Sequence, residues 1–185
     1  MKHLFYYSLI AGLLFSPAVK AQSGLNTNQG HSHNDYHQNI PLLTAYFAGM
    51  GSVEADVFLK NGQLCVAHDT TEIKEDATLK KLYLDPLAAF YRKNGNKAYK
   101  DAAMKLQLVI DIKKNHRQVL PQLIKELSSY AAVFKKDQNP NAIHIVVSGD
   151  MPSPAAFKNY PDYISFDGRP YTTYTQEQLK RVAMI

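Results

Sequence analysis

Short apolar segments alternate with amphipathic segments along most of this chain, and this alternation limits the folds open to it. Strands are predicted at residues 52–59, 64–67, 106–112, 143–147 and 163–166, with another just before His31. Helices are predicted between them at residues 42–48, 78–92, 117–134 and 175–183. Strands that alternate with helices in this way form α/β sheets with parallel strands.

Local signals refine these elements. Asn61 and Gly62 predict a turn between the second and third strands. Pro86 is expected to interrupt the helix over residues 78–92, and Pro121 to mark the first turn of the regular part of the next helix. Thr175, which has a Gln three residues later, predicts the cap of a last helix that runs to residue 183.

Polar residues cluster where the predicted strands end, namely His31-Ser32-His33, Glu54 and Asp56, His68-Asp69, Asp111 and Lys113, Ser148-Gly149-Asp150, and Asp167. In (β/α) barrels the C-terminal strand ends carry the chemistry. A doubly wound sheet fits the alternation too, but its glycine-rich phosphate fingerprint is absent. We therefore predict a TIM-type (β/α) barrel. A closed barrel needs eight strands and typically about 250 residues, so with about six strands it is expected to be incomplete at the C-terminus.

The first residues have the order of a secretory signal peptide. Met1-Lys2-His3 is a short basic start, residues 4–15 are almost wholly apolar, and Val19-Lys20-Ala21 offers small residues at the −3 and −1 positions of a cleavage site. The apolar run is shorter than the about 20 residues of a membrane helix. We predict that residues 1–21 are removed on export to the periplasm or medium. Residues 22–185 would then form one domain without a transmembrane segment.

The composition limits the classes of ligand that the protein is expected to bind. The formal charge of +5 includes Lys2 and Lys20, and no run rich in Lys and Arg occurs beyond adjacent pairs. A dedicated nucleic-acid surface is therefore not expected, whereas an anionic substrate suits the modest positive balance. Cys65 is the only cysteine, so no internal disulfide forms, and its apolar neighbours predict a buried strand residue.

Two carboxylate motifs are candidate ligand sites. Glu54 and Asp56 are two apart in a strand and share one face, where their oxygens suit Mg²⁺ or Ca²⁺; a solvent-facing acidic edge is the alternative. Asp111 and Lys113 share a face of an otherwise apolar strand, where a buried charge is costly without a partner. They could form a structural ion pair, or bind a metal and a phosphate oxygen.

Histidines stand at the ends of two of these strands. His33 and His68 could each give or take a proton near neutral pH, a contribution worth about 100-fold to 10,000-fold in rate. Taken singly, each histidine is more often structural than catalytic. Together with the carboxylates, they predict acid and base catalysis around one bound cation.

Four motifs occur along the chain in the order Gly30-His31-Ser32-His33-Asn34-Asp35-Tyr36, Val53-Glu54-Ala55-Asp56-Val57, Val66-Ala67-His68-Asp69 and Val109-Ile110-Asp111-Ile112-Lys113. Together they resemble the phospholipase C-like phosphodiesterase superfamily, which includes glycerophosphodiester phosphodiesterases, spider sphingomyelinase D-type toxins and phosphoinositide phospholipases C. The chain is most similar to the glycerophosphodiesterase-like branch with a His-Asn-Asp-Tyr start. The likeness covers residues 31–113 and weakens toward residue 167. Four motifs in order are fairly specific, although each is weak alone.

The resemblance implies the following roles: Glu54, Asp56 and Asp111 bind one divalent cation, Mg²⁺ or Ca²⁺; His68 and either His33 or His31 catalyse; Lys113 binds the phosphate. The segment Ser32-His33-Asn34-x-Tyr36 resembles the phosphoinositide enzymes, and this likeness would add Asn34 to the metal ligands. The overlapping segment Gly30-His31-x-x-Asn34 resembles the toxins, and this likeness favours His31 as the catalytic histidine. We favour His33. Arg169 either binds an anionic head group or belongs to a structural turn.

The implied reaction is hydrolysis, or internal transfer, of a glycerophosphodiester or phospholipid-type phosphodiester, small or lipid-borne. One departure is the absence, near residues 39–41, of the Glu-Asn-Thr motif of ordinary glycerophosphodiesterases. Two alternatives remain open. The first is a zinc-dependent amidohydrolase-type enzyme that uses His31 and His33, with His116 and His144 as further candidates. The second is a truncated, catalytically inactive member of the family that binds a ligand.

Overall fold

A computed structural model describes residues 27–135 and 139–183. The strands are β1 (His31–Ser32), β2 (Ser52–Lys60), β3 (Gln63–Val66), β4 (Gln107–Ile112), β5 (His144–Gly149), β6 (Ile164–Asp167) and β7 (Val182–Ala183). The α-helices are α1 (Leu43–Phe47), α2 (Asp85–Lys93), α3 (His116–Ser128), α4 (Ala131–Phe134) and α5 (Gln176–Leu179). A π-helical turn covers Lys80–Leu84, and 3₁₀ turns cover Thr27–Gln29, Asp35–His37, Thr70–Glu72 and Pro154–Asn159.

All of the strands belong to one sheet. Its order is β1-β2-β4-β5-β6-β7 with parallel neighbours, and β3 folds back antiparallel on β2 across the predicted Asn61-Gly62 turn. The six parallel strands curl into a half-barrel. The α/β class is confirmed, and the sheet is consistent with an incomplete TIM-type barrel.

The hydrophobic core lies between the sheet and the helices that cover its outer face. Strand residues of the core include Val53, Ala55, Val57, Leu108, Ile110, Ile112, Ile145, Val147, Ile164 and Phe166. Helix α3 contributes the adjacent pair Val119 and Leu120 together with Leu123 and Leu127, which follow at intervals of three and four residues, as in an amphipathic helix. Because side chains alternate along a strand, the residues between the strand members of this core point to the inner face.

Two predicted helices are interrupted. The stretch over residues 78–92 changes from the π-helical turn to α2, with Pro86 in the first turn of α2, where its missing N–H is tolerated. The stretch over residues 117–134 divides into α3 and α4 at Ser129 and Tyr130. Because α3 begins at His116, Pro121 lies inside the helix and not in its first turn.

The predicted last helix is wrong in its C-terminal half. Thr175 and Gln178 form the expected capping box, but α5 ends at residue 179 and residues 182–183 form β7 beside β6. The N–H of Phe166 bonds the carbonyl of Arg181, whose guanidinium donates to the carbonyl oxygens of residues 160, 161 and 164. Hydrogen bonding to the sheet edge therefore overrides the local helical signal.

Cys65 is buried in β3, as its apolar neighbours predicted. The predicted signal peptide, residues 1–21, lies outside the described residues. Among the helices of the described residues, none combines the length and the apolar character needed to cross a membrane.

Candidate active site

Polar side chains line the inner face at the C-terminal ends of the strands. Glu54 and Asp56 share this face on β2, as their spacing of two predicted. The pairing of β2 with β4 places Asp111 directly beside Asp56. The same row continues through Ser148 on β5, whose hydroxyl donates to Asp167 on β6 at 3.2 Å. The inner face therefore brings together residues from four strands.

Asp56 is the most buried carboxylate in this row, with only 1% of its surface exposed. Its Oδ2 accepts a hydrogen bond from the Tyr36 hydroxyl at 2.8 Å, and lies 3.1 Å from Nδ1 of His68 and 3.0 Å from Nζ of Lys113. A buried carboxylate costs free energy unless it is paired, and these contacts provide the pairing. Because Nδ1 of His68 faces the carboxylate, Nε2 of this half-exposed ring is left for a ligand.

Lys113 stands between two carboxylates, with Nζ 3.0 Å from Asp56 and 3.6 Å from Asp111. Burial raises the pKa of Asp111; Lys113 opposes this effect, and the charges of Asp56 and Glu54 add to it. Burial alone would lower the pKa of Lys113, but the two carboxylates raise it. Glu54, Asp56 and Asp111 thus place three carboxylates near one lysine.

Glu54 is held by the loop that follows β1. Its Oε2 accepts the backbone N–H of Asn34 at 3.0 Å and lies 3.5 Å from Nε2 of His33 and 3.8 Å from Nε2 of His31. Burial would raise the pKa of Glu54, but the contacts with His31, Asn34 and His33 lower it overall. Both candidate histidines of the first motif therefore reach the same carboxylate.

His31 and His33 differ in the polar partners of their ring nitrogens and in their exposure to solvent. Nδ1 of His31 lies 2.9 Å from the Ser52 hydroxyl, so both of its ring nitrogens face polar partners. The His33 side chain is 72% exposed and has only its Nε2 near Glu54. His33 is consequently better placed to meet a ligand.

Asp35 anchors the loop that carries these histidines. It is fully buried and accepts hydrogen bonds from the Ser32 hydroxyl at 2.8 Å, the Leu42 N–H at 2.5 Å and the Tyr83 hydroxyl at 3.0 Å. Tyr83 lies in the π-helical turn. Neutral donors thus satisfy this carboxylate and fix the loop above β1.

At the rim, β5 ends in Gly149 at a φ of 74°, a conformation that favours glycine. A Cβ at this position would stand 2.6 Å from Oδ1 of Asp111, so only glycine fits beside it. The Arg169 guanidinium donates to the Gly149 carbonyl at 3.0 Å and lies 3.8 Å from Asp167. Arg169 therefore borders the row at its β6 end.

The two further histidines of the zinc alternative lie apart from the row. His144 is at the N-terminal end of β5, away from the C-terminal strand ends, and its Nε2 is 2.7 Å from the Ser165 hydroxyl. His116 begins α3, and its Nδ1 is 2.9 Å from Asp150. The structure thus gives each of these histidines a polar partner outside the row.

The predicted metal ligands lie close together without enclosing one position. The Asn34 side-chain oxygen accepts from the Tyr36 hydroxyl at 3.2 Å. Across the described part of the chain, no three His, Cys, Asp or Glu side chains are arranged around a common metal position. The chemistry of the donors nevertheless fits a hard divalent cation, because carboxylate oxygens are the ligands that Mg²⁺ and Ca²⁺ prefer.

Sequence reasoning assigned no role to Tyr36 or Asp35, although both belong to the His-Asn-Asp-Tyr motif. The available signal was their place in a motif whose neighbours were all candidate site residues. Their partners, Asp56 and Tyr83, lie 20 and 48 residues further along the chain. Only the folded chain brings these groups together.

Comparison with known proteins identifies a family. A model of the AIM6-like phosphodiesterase domain matches residues 20–166. No solved structure matches the chain.

Curated relatives that match include three fungal proteins. An Altered inheritance of mitochondria protein 6 homolog of Arthroderma benhamiae is 29% identical over 147 residues, which cover 66% of this chain and 47% of the relative. Altered inheritance of mitochondria protein 6 of Eremothecium gossypii is 31% identical over 144 residues, covering 66% and 37%. The Kluyveromyces lactis protein of that name is 33% identical over 129 residues, covering 56% and 30%. The chain therefore spans less than half the length of these relatives.

Proposed function

Because the chain belongs to the family of AIM6-like phosphodiesterase domains, we propose that its inner face hydrolyses a phosphodiester. The observation that carries this proposal is the pair formed by Asp56 and His68 beside Lys113, with Nδ1 of the ring 3.1 Å from the carboxylate. A carboxylate on Nδ1 fixes the tautomer and stabilises the charged ring, so Nε2 can exchange a proton. Lys113 adds a positive charge where a phosphoryl group would be held.

Two histidines would divide the proton transfers. One takes a proton from the attacking water, or from a neighbouring substrate hydroxyl, as the new phosphorus–oxygen bond forms. The other gives a proton to the alkoxide oxygen as the old bond breaks, and the two rings then re-equilibrate with solvent. We assign these roles to His68 and His33, since His31 has Ser52 and Glu54 at its two ring nitrogens.

One divalent cation, Mg²⁺ or Ca²⁺, is part of the proposal. Glu54, Asp56 and Asp111 would hold it, and the excess of carboxylates over lysines in the row favours a cation there. When bound, the ion would neutralise charge on the phosphoryl oxygens. Arg169, which borders the row, would contact the anionic head group, and Asn34 would orient the loop through its bond to Glu54.

The substrate class is a phosphodiester of the glycerophosphodiester or phospholipid head-group type, as the motif resemblance implies.

Export through residues 1–21 is the second part of this proposal. Sequencing the N-terminus of the protein recovered from the periplasm or medium tests it. A mature chain that begins at Gln22 is expected, and an intact Met1 in a cell-associated protein contradicts export.

Activity is tested on bis(p-nitrophenyl) phosphate and on glycerophosphodiesters with chelator, Mg²⁺, Ca²⁺ and Zn²⁺ in parallel. Hydrolysis is expected to disappear with chelator and to return with Mg²⁺ or Ca²⁺. The variant that tests the metal site is Asp111→Asn, which removes one negative charge without changing the size of the side chain. This variant should need at least about 10-fold more cation for half-maximal activity, because metal-site partners typically contribute about 10-fold to 100-fold.

Restoration by Zn²⁺ alone would favour the amidohydrolase-type alternative. A folded protein that is inactive with every cation would contradict catalysis and favour a ligand-binding role. Analysis of the product separates hydrolysis from internal transfer, since transfer to a neighbouring hydroxyl first releases a cyclic phosphodiester.

A further inference from the structure

The hydroxyl of Tyr36 occupies the junction of the first three motifs. Its oxygen lies 2.8 Å from Oδ2 of Asp56, 3.2 Å from the side-chain oxygen of Asn34 and 3.3 Å from Nδ1 of His68. These partners come from the loop after β1, from β2 and from the segment after β3. No role was assigned to this side chain by the motif resemblance.

The phenol acts as a hydrogen-bond donor at this junction. A phenol keeps its proton at neutral pH, and the Tyr36 hydroxyl lies nearer to Oδ2 of Asp56 than to Asn34 or His68. A phenol has one proton to donate, and the shortest contact assigns it to Asp56. His68 then directs its Nδ1–H toward the same Oδ2, which is 3.1 Å away.

We propose, building on the proposed phosphodiesterase function, that Tyr36 is a positioning residue that orients Asp56 so that His68 presents Nε2 to the substrate. Tyr36 acts through Asp56 and need not touch the substrate itself. A carboxylate can rotate about its Cβ–Cγ bond, and a hydroxyl bonded to Oδ2 restricts this rotation. The angle at which the imidazole faces the phosphodiester is thereby set, and proton transfer depends strongly on that geometry.

A second tyrosine–aspartate contact provides an internal control. The Tyr83 hydroxyl donates to Asp35 at 3.0 Å. In the described part of the chain, the other donors to Asp35 are the Ser32 hydroxyl and the Leu42 N–H, so they include no histidine or lysine. Tyr83 is fully buried, whereas Tyr36 is partly exposed and packs edge-on against His37. Loss of the two hydroxyls should therefore affect different properties of the protein.

The test compares Tyr36→Phe with Tyr83→Phe in the full-length mature protein, with saturating Mg²⁺ and bis(p-nitrophenyl) phosphate. Tyr36→Phe should lower kcat by about 10-fold to 100-fold, the range found for groups that orient a reacting side chain, while KM changes less than about threefold. Tyr83→Phe should mainly lower the melting temperature, and it should lower kcat less than Tyr36→Phe does, because Ser32 and the Leu42 N–H still hold Asp35. Wild-type kcat in a folded Tyr36→Phe protein would overturn the proposal.

A second readout does not depend on activity. In ¹⁵N-labelled protein at a pH where His68 is neutral, the ring-nitrogen shifts report which nitrogen carries the proton. Wild type and Tyr83→Phe should show His68 protonated at Nδ1, and Tyr36→Phe should show a mixture of the two tautomers. Unchanged His68 shifts in Tyr36→Phe would overturn the proposal. If wild type hydrolyses no phosphodiester, the proposed function fails, and these shifts alone decide the role of Tyr36.

Discussion

Two carboxylate–histidine pairs lie at C-terminal strand ends, and they look alike at close range. Asp56 is 3.1 Å from Nδ1 of His68, and Asp150 is 2.9 Å from Nδ1 of His116. In each pair the carboxylate contacts Nδ1 of the ring and not Nε2. The carboxylate-to-Nδ1 distances alone therefore do not show which histidine could act as a catalytic acid or base.

The surroundings of the pairs differ. Asp56 lies on the inner face with Tyr36 and Lys113 on the same oxygen. Asp150 instead accepts the backbone N–H of His116 at 3.0 Å, at the first turn of α3. The residue before this helix, Asn115, makes no side-chain cap bond, so Asp150 supplies the cap from the neighbouring loop. Contact with His116, against a smaller effect of burial, lowers the pKa of Asp150.

The comparison assigns the two pairs to different tasks. A carboxylate that also contacts a lysine and a tyrosine on an open inner face can act on a ligand, whereas one that satisfies the N-terminus of a helix stabilises the fold. Replacements that separate catalysis from stability test this assignment.

Asp56→Asn should have the largest effect. The amide keeps the shape of the side chain but loses the charge that fixes the His68 tautomer, so kcat should fall by about 100-fold to 10,000-fold. Lys113 keeps Asp111 as a partner, so the variant should still melt cooperatively. Steady-state kinetics and a melting curve check both expectations. Wild-type kcat in the folded variant would remove Asp56 from the proposed mechanism.

Asp150→Ala should have an intermediate effect, and on stability alone. Loss of the cap of α3 should lower the free energy of unfolding by about 1–2 kcal/mol, measured by urea denaturation. Values of kcat and KM at a temperature where the variant is folded should stay within about threefold of wild type. A loss of kcat as large as in Asp56→Asn would show that the second pair takes part in catalysis.

Glu54→Gln extends the comparison to a carboxylate that meets two histidines, and its effect on metal-free stability should be the smallest. The lowered pKa of Glu54 means that the folded chain favours its ionised form. Its stabilisation is therefore present above the ordinary carboxyl pKa of about 4.3 and is lost as the pH falls through the lower folded value. In chelator, the variant should be less stable by about 1 kcal/mol at pH 6–7, and the difference should disappear as the pH falls below the folded pKa of Glu54. Melting curves across this range check the result, and a difference independent of pH would contradict it.

Several features of the fold and of the inner face could be predicted because they depend on residues close together in the sequence. Glu54 and Asp56 share a face through the period of two along a strand, and both the Asn61-Gly62 hairpin and the Thr175 capping box lie within a few residues. Their placement needed only the local sequence. The same is true of the α/β class, which follows from the order of apolar segments.

The remaining features depend on pairing between distant segments. The register that sets Asp111 beside Asp56 joins residues 55 apart, and the contacts of Tyr36 join three motifs. Residues 182–183 form a strand because a sheet edge is available, although a capping box precedes them. Local propensity contains no information on such partners. The catalytic and metal-binding roles themselves stay predictions.

The central claim is that the inner pair, and not the helix-capping pair, carries the chemistry. The most direct test measures kcat on bis(p-nitrophenyl) phosphate, with Mg²⁺ restored after chelation, for His68→Ala and His116→Ala side by side. We expect His68→Ala to lose at least about 100-fold and His116→Ala to remain within about threefold of wild type. Equal losses in the two variants, or a greater loss in His116→Ala, would contradict the claim.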